Sequence, residues 1–104
     1  MSKIKTIQQL TNLLAGALRH KIGAIVNSSE LYKNKYEKEA QNLLKAAQKV
    51  SLRENWNIYD KEKIKEELRY KLKTELEKCT YLNSKKFDFM NSEINEALKL
   101  LGLL

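Results

Sequence analysis

An all-α fold, a single-domain bundle of three to four helices over residues 1–104, is predicted by three observations. The chain has no proline and only three glycines, whereas a β domain of this length needs turn residues about every 8–12 positions. Leu, Lys, Glu, Ala and Gln, the strong helix formers, dominate the composition. The apolar residues also recur at helical spacing, about 100° per position. A length of 104 residues suits one domain, and so short a chain leaves pairing with a second copy open.

The first helix is expected from about Ile4 to Val26. Ile7, Leu14, Leu18, Ile22 and Ile25 centre its apolar face, and Leu10, Leu13, Ala15, Ala17, Ala24 and Val26 widen it. The arc exceeds the ~100° stripe of a surface helix, so this helix is predicted to be central or to face a second subunit. The same stretch is basic, acid-free and amphipathic, as targeting sequences are. It holds one arginine and no cleavage pattern, so it is assigned to the fold.

The second helix is expected after Ser28 or Ser29, with Tyr32, Tyr36, Ala40, Leu43, Ala47 and Val50 inward and an end between Leu52 and Asn55. Trp56, in the linker that follows, is either a plug for the bundle end or an exposed partner anchor. Asp60 is expected to cap a third, peripheral helix with a narrow seam of Ile64, Leu68, Leu72, Leu76 and Cys79. Glu67–Lys71 and Lys73–Glu77 are spaced for ion pairs on its outer face. The last helix is predicted to begin between Ser84 and Ser92 and to bury Phe87, Met90, Ile94, Ala97, Leu98 and Leu101. Gly102 then stops it, leaving Leu103 and Leu104 as an apolar tail.

The net charge is +7, of which Lys3, Lys5, Arg19 and Lys21 supply +4 in an N-terminal stretch without acids. Such a distribution suits a polyanion partner, and also a lysine-rich background composition. One cysteine and one histidine cannot build a metal site or an intramolecular disulfide. The single cysteine fits a reducing, cytoplasmic setting. No apolar run approaches the ~20 residues of a membrane span, and isolated glycines make no phosphate loop. No catalytic residue, cofactor or metal is therefore expected.

One patch stands out on the polar side of the first helix: Lys5, Gln9, Asn12, Gly16, Arg19, His20 and Gly23 share an arc of roughly 100°. Each mid-helix glycine costs about 1 kcal/mol relative to alanine, and here both lie opposite the apolar stripe. They admit a close neighbour: another helix of the bundle, a second copy, or a polyanion beside Arg19. Lys5, Asn12, Gly16, Arg19, His20 and Gly23 are thus the candidate partner or polyanion site.

Arg19-His20-Lys21-Ile22-Gly23-Ala24 resembles the phospho-acceptor motif of histidine phosphotransfer domains, with one position fewer between histidine and glycine. That resemblance implies a four-helix bundle with His20 as acceptor. The chain is also similar to the helical ribonucleases of toxin systems in placing Arg and His on one helix. Adjacent positions, however, point about 100° apart, which is expected to separate the two side chains. Met90 to Leu101 resembles the first helix of a helix-turn-helix, and the sequence lacks the recognition helix after it. The expected function is a non-catalytic helical interaction module, a homo-oligomer or a small subunit of a larger assembly, contacting partners through the first helix. Nucleic-acid or ribonucleoprotein binding by the basic N-terminal helix is the alternative.

Overall fold

The computed structural model describes residues 2–27 and 29–104, except the Glu30 side chain. It contains α1 (Lys3–Val26), α2 (Glu30–Ser51), α3 (Ile58–Lys78), a 3-10 segment (Ser84–Phe89) and α4 (Met90–Leu100). The protein is all-α, and no described residue is in a strand. Its extents are 40 × 21 × 21 Å; the long dimension matches α1, since 24 residues rise about 36 Å in a helix.

Helix α1 starts where the Ser2 side chain accepts the Lys5 N–H, a standard N-cap bond. Thr6, Ile7, Leu10, Thr11, Leu14, Ala15, Ala17, Leu18, Ile22, Gly23 and Ala24 are buried along it. Most of the over-wide apolar arc is therefore covered inside one chain, because α1 packs against α2, α3 and α4 together; Ile25, expected at its centre, is instead 43% exposed near the C-terminal end. Among the described residues, α2 makes its backbone contacts with α1 alone.

Side-chain contacts fix the directions. Gly16 and Gly23 face Leu43 and Tyr36, so α2 runs antiparallel to α1. Lys3 bonds Asp60 and Lys71 bonds Thr11, so α3 runs parallel to it. Lys21 pairs with Glu93 at 2.7 Å, which joins α4 to the C-terminal half of α1.

The seam of α3 is as expected: Ile64, Leu68, Leu72 and Leu76 are fully buried and Cys79 nearly so. Its cap is not. Asn57 takes that position, its side chain accepting the Asp60 N–H at 2.8 Å while the Asp60 carboxylate accepts the Asn57 N–H at 3.1 Å. Asp60 thus closes a reciprocal capping box from inside the first turn. At α2, Ser28 lies outside the described residues, and Ser29 holds the cap position without a side-chain bond. Tyr32, expected in the core, is exposed, and Tyr36 is half-buried.

The approach to α4 is the 3-10 segment, which leaves Phe87 39% exposed rather than buried. It buries Lys86 instead. The Lys86 ammonium donates to the Cys79 carbonyl at 2.6 Å, where the C-terminal end of α3 attracts positive charge.

Gly102, at φ +70°, ends α4 as expected. Leu103 N–H donates to Leu98 O at 2.7 Å and Gly102 N–H to Lys99 O at 3.1 Å, the paired bonds of a Schellman motif. That turn folds Leu103 back into the core at 3% exposure, so only Leu104 remains of the expected apolar tail.

Candidate functional site

Among the described residues, the polar strip of α1 is left open between α2 and α3. Lys5, Gln9 and Asn12 are exposed there, Gly16, Arg19 and His20 are half-buried, and Gly23 is buried. The strip forms the floor of a trough whose walls are α2 and α3, two helices that do not approach one another.

The neighbour that the glycines admit is α2. A Cβ on Gly16 would sit 3.4 Å from Leu43 Cδ1, and one on Gly23 would sit 3.1 Å from Tyr36 Cδ2. Both glycines therefore serve the helix crossing, which draws the α2 wall close to the floor.

His20 is held on both sides. Its Nδ1 lies 2.7 Å from Gly16 O and its Nε2 lies 2.6 Å from Glu39 Oε2. Carbonyl and carboxylate only accept, so each of these two contacts is a hydrogen bond when the ring nitrogen facing it carries the proton. The Tyr36 ring stands edge-on at 5.9 Å, and 14% of the His20 side chain is exposed.

Adjacent positions do not separate Arg19 from His20. The long arginine side chain turns back until Nη2 is 3.4 Å from His20 Nε2. Nη1 is 3.9 Å from Cys79 Sγ and Nε is 3.9 Å from Glu75 Oε2. Burial lowers the guanidinium pKa, but Cys79, Tyr81 and Glu75 more than reverse that, holding it above its ordinary range. Tyr81 closes this end of the trough beside Cys79, Tyr36 and Arg19. The Cys79 sulfur, and then burial, push the Tyr81 phenol up.

Lys71 was not legible as a trough residue. It forms no ion pair with Glu67 one turn earlier; its ammonium donates across to Thr11 Oγ1 at 2.6 Å and Gln8 O at 3.2 Å. Glu67 Oε2 is left buried without a hydrogen-bond partner. Along this wall the trough opens into two joined hollows of about 540 and 340 Å³, which share Asn12, Tyr70 and Lys71. The smaller reaches Arg19 and Glu75. Tyr70 stands over both at 73% exposure, and Tyr81 is 68% exposed. With Tyr32 and Tyr36 on α2, four tyrosines rim the trough.

Trp56 lies at the opposite end, half-buried against the core. Its indole N–H donates to Ser51 O at 2.8 Å and Lys3 Nζ stands 5.9 Å from its ring centre, the geometry of a plug. Among the described residues no three His, Cys, Asp or Glu side chains are grouped to hold a metal ion, and no helix is long and apolar enough to cross a membrane. No protein-family model, curated protein or solved structure matches this chain, so the trough is read from its own geometry.

Proposed function

We propose that this chain is a non-catalytic helical interaction module whose docking face is the tyrosine-rimmed trough along α1. The observation that carries the reading is a pair of exposed phenols on one trough, Tyr70 over Gln8 and Asn12 and Tyr81 beside Arg19. Tyrosine is enriched at the centres of protein interfaces because one side chain offers both apolar area and a hydrogen-bonding tip. The partner is a second copy, making a homo-oligomer, or a larger assembly in which this chain is a small subunit. Contact is through the polar strip of α1, since most of its apolar face is occupied within the chain.

The absence of catalysis in this proposal rests on His20. Both ring nitrogens are engaged, which leaves neither ready to accept a phosphoryl group or a proton from a substrate. A cytoplasmic setting goes with the free, buried thiol of Cys79. The nucleic-acid alternative draws on a reduced set of cations: Lys3 pairs with Asp60 and Lys21 with Glu93.

Sedimentation velocity up to high micromolar concentration, alone and with mixed RNA and DNA, tests the reading. A discrete protein dimer that Tyr70→Ser and Tyr81→Ser disperse supports it. A monomer that co-sediments with nucleic acid, with affinity falling steeply with salt, replaces it with the alternative.

A further inference from the structure

We infer that the smaller hollow of the trough is a receptor for a phosphate group, with Arg19 as its principal ligand. A guanidinium carries five N–H donors in a planar fork. In Arg19 that fork is largely buried, with 29% of the side chain exposed, yet among the described residues its recorded hydrogen-bond and ion-pair partners all lie at 3.4 Å or beyond. The nearest group, His20 Nε2, is a long contact at 3.4 Å and is already shared with Glu39 Oε2 at 2.6 Å. The remaining contacts are a sulfur, a weak acceptor, and the half-exposed Glu75 carboxylate, each at 3.9 Å.

The fork is held in place by its neighbours while its bonding capacity is unspent. Arg19 and Lys71 line one hollow, and two cationic side chains favour an anion bearing more than one charge. The same hollow, about 340 Å³, is lined by Asn12 and Lys71. Lys71 uses two of its three donors on Thr11 and Gln8, and the exposed Asn12 amide has two. Donors from α1 and α3 thus surround the hollow from different directions. That arrangement suits a tetrahedral phosphate better than a planar carboxylate, which one fork would satisfy. Glu75 is the opposing charge, and its long contact with Arg19 is the one that bound phosphate displaces.

The inference is independent of macromolecular docking, because free phosphate is sufficient to test it. The full chain at low salt is titrated with inorganic phosphate, and separately with acetate, while the Arg19 and Asn12 side-chain resonances are followed by NMR. Saturable phosphate shifts are expected at both residues, weakened about tenfold or more by Arg19→Lys, which keeps the charge and loses the fork. Asn12→Ala, at an exposed position, is expected to weaken binding while the helical spectrum is unchanged. Shifts that rise linearly without saturating, equal affinity in Arg19→Lys, or acetate bound as tightly as phosphate would each overturn it. None of these outcomes bears on whether the trough docks a protein.

Discussion

Alanine at Gly16 and at Gly23 makes the same chemical change on the same helix, yet the surroundings predict opposite results. In a helix interior the change itself gains about 0.8–1.0 kcal/mol through backbone entropy. At Gly16 the new methyl meets Leu43 Cδ1 at 3.4 Å, an ordinary contact with the end of a flexible side chain. Gly16→Ala is therefore expected to stabilise by about 0.5–1 kcal/mol. At Gly23 the methyl meets the Tyr36 ring at 3.1 and 3.3 Å. That ring is edge-on to His20 and tilted against Tyr32, so it cannot swing aside freely. Overpacking of this kind costs about 1–3 kcal/mol, and Gly23→Ala is expected to destabilise by roughly 0.5–2 kcal/mol net. Urea unfolding followed by circular dichroism separates the two, and a 1 kcal/mol change moves Tm by about 4–8 °C in a domain of this size. Gly23→Ala in a Tyr36→Leu background should recover the gain, with a coupling of about 1 kcal/mol or more. Equal stabilisation by both single alanines would refute the crossing geometry.

Four other substitutions have outcomes set by contacts elsewhere in the fold. Burial lowers the Lys21 pKa, but Glu93 and then Glu96 raise it above the ordinary 10.5. The pair's contribution is complete below that value and is lost as pH rises through the folded pKa, so Lys21→Met should flatten the alkaline limb of a stability-against-pH curve. The Lys3 ammonium, with the Asn57 N–H, holds Asp60 below its ordinary 3.8. Its contribution is present above that value and is lost as pH falls through the folded pKa; hydrogen exchange should show the first turn of α3 opening there, and Asp60→Asn should remove the pH dependence. Gly102→Ala meets no atom within 4 Å, so its expected loss of about 1–2 kcal/mol is backbone strain alone. Leu103→Ala should cost about 2–4 kcal/mol by emptying a core position; both are read from denaturant midpoints.

The helices were legible because their signals are local. Spacing placed α1, the α3 seam and the Gly102 stop within a residue or two. What spacing could not supply was the third dimension. The apolar arc of α1 predicted a helix that is central or faces a second subunit, and spacing alone could not say that three helices of the same chain converge on it. Arg19 and His20 looked separated because the wheel records Cα–Cβ directions, while a long side chain bends back over several ångströms. Lys71 and Lys86 read as ordinary surface lysines, yet each reaches a buried acceptor on another element or turn. The box at Asn57 was missed because Asp60 is itself a good cap residue, and only geometry tells the N-cap from the third position after it.

Because α2 meets the remainder of the molecule through α1, the chain behaves energetically as a hub with spokes. A perturbation on the α2 spoke reaches α3 chiefly by deforming the hub, whereas α3 and α4 also meet each other directly. Leu43→Ala on α2 and Leu76→Ala on α3 should then have free-energy effects that sum to within about 0.3–0.5 kcal/mol in the double variant. Combining either with a change at the α1 residue it touches should not sum. Substitutions can therefore accumulate on α2 and α3 with little epistasis between them, while nearly every buried position of α1 is constrained from more than one side.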